Sequence, residues 1–193
     1  MMTRKTISHR YAFGCRLLLC SALVCAGPLA ADQDDPRLDT LFARLQDLDD
    51  ATAAAPVEQQ IWQIWVTHEN PALQAQMNAG IQAINDNRLQ QALAMFNQLV
   101  TRAPDWAEAW NKRATLHYLL GNYTESMADI AQVLQREPFH FGAMSGLGLV
   151  NLAQGNYYAA HRAFQRLLEV YPAMPGVRDT LAELDARLGR QSI

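Results

Sequence analysis

The sequence predicts an all-α fold, an α-α superhelix of antiparallel helix pairs, and two observations carry that expectation. Pro104, Pro138 and Pro172 recur at one constant interval, and the same interval separates Gly121 and Tyr123 from Gly155 and Tyr157. A fixed period of that length marks a helix-turn-helix array in which no single unit buries its own apolar face, so the units must stack.

Residues 1–31 are set apart from that array. Arg4, Lys5, Arg10 and Arg16 form a basic stretch, Leu17 to Gly27 is an apolar run, and Pro28-Leu29-Ala30-Ala31 ends in small residues before Asp32. The run is too short to span a bilayer, so it reads as a secretory signal peptide cleaved after Ala31. All three cysteines, Cys15, Cys20 and Cys25, fall inside it, which leaves the expected mature chain without thiol, disulfide or cysteine-metal chemistry. Cys20 follows Leu19 and Cys25 follows Val24 where a lipoprotein signal wants a small residue, so lipidation is not expected. Removing the leader takes 4 of the 16 basic residues and none of the 19 acidic ones, and 12 against 19 leaves a net charge of −7. An acidic chain without a basic stripe does not suit nucleic acid or an anionic membrane. The remaining chain is long enough for one self-standing domain.

Residues 32–72 read as an N-terminal helical pair. Asp34, Asp35 and Pro36 open the first helix, whose Leu38, Leu41, Phe42, Leu45 and Leu48 recur at helical spacing. Thr52 to Pro56 reads as a loose connection. Val57, Ile61, Trp62, Ile64 and Trp65 then lie on a second helix that ends near His68 and the Asn70-Pro71 break. Trp62 and Trp65 stand one full period before Phe96 and Leu99, which makes this pair a degenerate repeat.

Three units follow, at residues 73–106, 107–140 and 141–174. Their equivalent positions are Gln76, Ala79-Gly80, Ala83, Ala92, Phe96 and Pro104; Trp110, Arg113-Ala114, His117, Ser126, Ile130 and Pro138; and Met144, Leu147-Gly148, Asn151, Ala160, Phe164 and Pro172. This pattern resembles the tetratricopeptide repeat (TPR) family, with the second unit departing most in its letters while keeping the size classes. Small residues at Gly80, Ala114 and Gly148 and at Ala92, Ser126 and Ala160 allow close helix approach, and the prolines end each second helix. Residues 175–193 read as a capping helix, with Leu181, Leu184 and Leu188 on one face.

Catalytic and metal chemistry find little support. His68, His117, His140 and His161 have no metal-ligand spacing, so no metal and no cofactor is expected. Asp47, Asp49 and Asp50 lack the glycine and distant glutamate of a calcium loop and read as a solvated helix end. Trp106 precedes its repeat and is expected to be partly exposed, while Trp110 takes a core position.

The resemblance implies that the first helices of the repeats line a concave groove. That face comprises Gln74, Met77, Asn78, Ile81 and Asn85, then Glu108, Asn111, Lys112, Thr115 and Tyr118, then Gly142, Ser145, Leu149 and Leu152. Family members that clamp a chaperone's C-terminal carboxylate use lysine, asparagine and arginine at places held here by Met77, Ile81, Lys112, Gly142 and Gly146, so that activity does not carry over. The expectation is a periplasmic or secreted, non-catalytic scaffold that takes a protein or peptide partner in the groove, with no nucleic acid and no membrane span after cleavage. Two alternatives stay open: the N-terminal helix folds across the groove itself, or an enzyme or ligand-binding protein uses a cleft between the N-terminal helices and the repeats. Self-association through the solenoid ends is a further reading.

Overall fold

The computed structural model describes residues 33–191, so the expected leader lies outside the described residues. Within them the chain forms helices α1 (Arg37–Gln46), α2 (Ala51–Trp65), α3 (Pro71–Asn85), α4 (Leu89–Arg102), α5 (Ala107–Leu119), α6 (Tyr123–Arg136), α7 (Phe141–Ala153), α8 (Tyr157–Val170) and α9 (Val177–Gln191). The all-α superhelix is thus observed, with α3–α4, α5–α6 and α7–α8 as the three repeats and α9 closing the last.

The period read from the prolines is a period of chain reversals. Inside each repeat the turn falls on a residue with positive φ, Asn87 at 56°, Gly121 at 77° and Gly155 at 75°. One residue later a backbone N–H reaches back five positions, Arg88 to Ala83, Asn122 to His117 and Asn156 to Asn151, each at 2.8 Å. That bond satisfies carbonyls the helix end leaves bare, and glycine or asparagine supplies the left-handed residue it requires. Between repeats, Ala103, Glu137 and Tyr171 leave helical geometry, with φ of −132°, −128° and −135°, just before the three prolines. Proline disfavours a helical residue ahead of it, which ends α4, α6 and α8.

Packing inside each repeat depends on the small residues. A Cβ placed on Gly80 would lie 2.6 Å from the Phe96 ring, and one on Gly148 would collide with the Phe164 ring. Ser126, taking the same role on α6, buries its hydroxyl by donating to the Ala114 carbonyl at 2.8 Å.

Two features of the N-terminal segment differ from expectation. Thr52 to Pro56 is helical, because Asp50 caps α2 by accepting from the Ala53 N–H at 2.9 Å and the alanines favour helix, which carries the chain through Pro56 in the second turn. The α1–α2 pair, moreover, does not stack on the first repeat as a degenerate unit would. The structure leaves α2 and α3 barely touching, whereas α4 packs broadly on α5. Gln46 and Glu58 occupy the positions one period before Gly80 and Ala92, so the small residues that permit close approach are missing. The chain turns back through Val66–Asn70, and the pair packs on repeats two and three instead. One core joins Leu38, Leu41, Phe42, Leu45, Val57, Ile61, Ile64 and Trp65 to Phe141, Met144, Phe164, Leu167 and Tyr171.

Gly148→Ala is expected to lower stability by about 1–3 kcal/mol through overpacking against Phe164. Gly146→Ala on the same helix, whose Cβ would meet only Ile130 at 3.4 Å, is expected to be neutral or stabilising. Thermal melts of the two variants check this contrast.

Candidate functional site

The concave face is divided into a covered half and an open half. At its proline-turn end, α2 crosses the starts of α5 and α7. The Trp65 ring stacks on the His140 ring at 3.9 Å and 9°. Trp62 meets Trp65 edge-on at 5.3 Å and enters the space left by the missing side chain of Gly142. Backbone and polar groups fix this position: the Trp106 indole donates to the Trp65 carbonyl at 2.7 Å, and the Trp65 indole donates to Glu137 at 3.4 Å. Two turns earlier, Glu58 accepts the Tyr171 hydroxyl at 3.0 Å and the Trp62 indole at 3.3 Å.

Beneath the tryptophans lies a buried polar floor. Glu108 is fully buried, with Lys112 Nζ at 2.7 Å from Oε1, and Asn111 and His140 Nε2 at 2.8 and 3.1 Å from Oε2. His140 Nδ1 accepts the Ala143 N–H at 3.1 Å, which caps α7 and assigns the ring proton to Nε2, where it donates to Glu108. Burial alone would raise the Glu108 carboxyl, but Lys112 and the His140 hydrogen bond outweigh it and hold the group down at about 2. Glu137 is pushed the other way, above the ordinary carboxylate range, chiefly by burial. Tyr171 is raised to about 12 by burial and by the neighbouring Glu58 carboxylate. Each of these three groups is therefore engaged in a contact within the chain.

The predicted groove residues divide accordingly. Glu108 and Asn111 belong to the floor, and Lys112 lies between Glu108 and the Trp62 ring, 5.1 Å from its centroid. Met77 is fully buried in the core of the first repeat. Gln74 anchors the turn before α3, accepting the His68 N–H at 2.7 Å and donating to the Val66 carbonyl at 3.2 Å. Asn78 and Asn85 lie toward solvent and Ile81 is half-buried. Thr115, Tyr118, Ser145 and Leu149 remain on the open half, where they line a cleft of about 120 Å³ with Gly142 and Gly146. Leu152 lies apart from them, in a separate cleft with Tyr157 and Arg187 against α9.

Sequence reasoning missed the pairing of Glu108 with His140 and the burial of Trp106, which is 3% exposed. The only signal for the floor was Glu108 and Lys112 one helical turn apart on a groove-facing helix. His140 stood out only as a repeat-junction residue, because its partners come from two other helices. Trp110 is half-buried outside this site, with Arg113 and Arg136 over its ring at 4.8 and 5.3 Å.

A model of the tetratricopeptide repeat matches residues 77–140 and 128–175. The chain belongs to the tetratricopeptide repeat family. A TPR repeat-containing protein of Rhizobium etli is 36% identical over 144 residues, covering 75% of this chain and 71% of its own. The human SGT1 homolog is 34% identical over 82 residues, and the chain spans 22% of its length. Among solved structures, the first TPR of Spaghetti (RPAP3) bound to an HSP90 peptide superposes with a TM-score of 0.58 at 15% identity, over 61% of this chain and 93% of that one. The Sgt2 TPR domain of Aspergillus fumigatus gives 0.59 at 18% identity, over 64% of this TPR chain and 83% of its own. Those two likenesses concern the fold. Among the described residues no helix is long and apolar enough to cross a membrane, and no cluster of three or more His, Cys, Asp or Glu side chains could hold a metal ion.

The depressed carboxyl makes a prediction about acid stability. A folded value near 2 against an ordinary 4.5 contributes stability that is present above 4.5 and lost as pH falls toward 2. Glu108→Gln is expected to cost on the order of 3 kcal/mol at neutral pH and to flatten the decline between pH 4.5 and 2. Urea denaturation across that range compares it with the parent chain.

Proposed function

We infer that this chain is a non-catalytic interaction module that binds a peptide or helix of another protein on its concave face, and that it does so in a bacterial cell envelope. The observation that carries the reading is the open half of the groove, where Thr115, Tyr118, Ser145 and Leu149 line a cleft beside the backbones of Gly142 and Gly146. Hydroxyls beside an accessible apolar surface suit a peptide, which needs both hydrogen-bond partners and apolar pockets. Leu119 and Leu149, at 52% and 39% exposure, extend the apolar surface.

The RPAP3 domain of similar fold was solved with an HSP90 peptide, and a different peptide chemistry is proposed here. The single lysine at a clamp position, Lys112, is already paired with Glu108 and covered by Trp62. A C-terminal carboxylate would find no free cation there. The non-catalytic reading is supported by the engagement of Glu108, Glu137 and Tyr171 in bonds within the chain. The envelope assignment is supported by the basic stretch and apolar run of residues 1–31.

Photo-crosslinkers at Thr115 and Leu149 in a bacterial host are expected to trap a defined partner, and Ser145→Arg is expected to abolish that product without shifting the melting temperature. Products that persist unchanged in Ser145→Arg would count against the groove as the docking surface.

A further inference from the structure

Gly142 and Gly146 stand about one helical turn apart on the same face of α7, and the fold treats them differently. The space beside Gly142 is taken, since a Cβ there would lie 2.6 Å from the Trp62 ring. Beside Gly146 the nearest atom to such a Cβ is Ile130 Cδ1 at 3.4 Å, and the open cleft of about 120 Å³ lies along it. Trp62 of α2 fills the first space, and among the described residues nothing fills the second.

The cleft passes between α5 and α7 and reaches α6. Its depth is apolar, formed by Ala114, Ile130 and the Gly146 backbone, and Ser126 there already donates its hydroxyl to the Ala114 carbonyl. Its rim is polar. Thr115 donates to the Asn111 carbonyl at 3.0 Å and keeps its acceptor positions, while the Ser145 and Tyr118 hydroxyls have no hydrogen-bond partner among the described residues. Volume limits what can enter. A dry apolar cavity of roughly 150 Å³ admits one benzene, so this cleft takes a valine- or leucine-sized group and excludes an indole.

Charge limits it further. The sequences of α3 and α7 contain no Asp, Glu, Lys or Arg, and the three such residues of α5 are paired, Glu108 with Lys112 and Arg113 with Asp129. The second helices α6 and α8 carry three each, so the neutrality belongs to the groove-lining helices. A charged side chain brought into the cleft would lose its water and meet no counter-charge.

We propose that Gly146 marks the specificity pocket of the open groove: it takes one valine- or leucine-sized side chain from an uncharged stretch of the partner, whose backbone is held by Thr115, Ser145 and Tyr118. The inference rests on the reading of the open half as a peptide-docking surface and names the side chain that anchors it. The chain's own α2 supplies the pattern, because Trp62 enters the adjoining glycine space of the same face with an apolar group.

The probes are the N-acetyl N-methylamides of leucine, lysine, aspartate and tryptophan, each a side chain between two peptide groups with no terminal charge. They are titrated into the full chain and followed by the backbone amide chemical shifts of Ser145 and Gly146. The leucine probe is expected to saturate, and the other three to bind at least about tenfold more weakly. Gly146→Val, whose side chain occupies the cleft, is expected to abolish the leucine response. If that variant fails to fold by circular dichroism, Gly146→Ala, which fits against Ile130, takes its place with a weakened response expected. Equal responses to the four probes, no response, or a leucine response unchanged in the folded variant overturns the proposal. Shifts at Gly146 that depend on protein concentration alone would assign the cleft to a second copy and overturn the assignment to a partner peptide. Crosslinks from Thr115 and Leu149 report docking whatever the anchor. A partner trapped there while the probes show no aliphatic preference overturns this inference and leaves the docking surface standing.

Discussion

A carboxylate with no access to water sits at the centre of the concave face, and the surrounding residues are arranged so that it can stay charged. Glu108 takes Lys112 on one oxygen and Asn111 and His140 on the other. His140 is held between that carboxylate and the start of α7, and its outer face is a flat ring surface. The Trp65 ring covers that face. Charge, histidine and tryptophan therefore form one stack, each member fixed by the next. Without Trp65 the floor would be open to water; without the floor, α2 would have no reason to stop at this point on the array.

That stack explains why one helical array has two unlike halves of groove. Near the proline turns, bulky aromatics and a buried ion pair complete a closed surface. Further along α5 and α7, Gly146, Thr115, Ser145 and Leu149 leave the backbone accessible. The same repeat geometry supports both, since the first helices expose their concave side chains at every turn and the local residues decide whether that side is filled.

Much of the array was legible in the sequence because its determinants are local. Prolines, left-handed turn residues and small residues act within a few positions or one helix pair, and each recurs at the same interval, so periodicity reports them directly. Asn87 in place of a glycine shows the physics behind the letter, a need for positive φ rather than for glycine as such. The location of the α1–α2 pair was not legible from its periodicity, because its spacing to Phe96 and Leu99 suggested stacking. Gln46 and Glu58 at the small-residue positions carried the contrary signal. The site was less legible still: groove-facing positions followed from the fold, but the separation into covered and open halves depends on Trp65 meeting His140, two residues with the helices of the first two repeats between them in sequence.

Nuclear Overhauser contacts of Trp62 and Trp65 in the full chain at neutral pH locate α2 on the array. Strong contacts are expected from the Trp65 ring protons to His140 and from the Trp62 ring protons to the α-protons of Gly142. Contacts from Trp62 and Trp65 to Ile81 and Phe96 instead would place α2 as a stacked repeat against α3 and α4, and would contradict this placement.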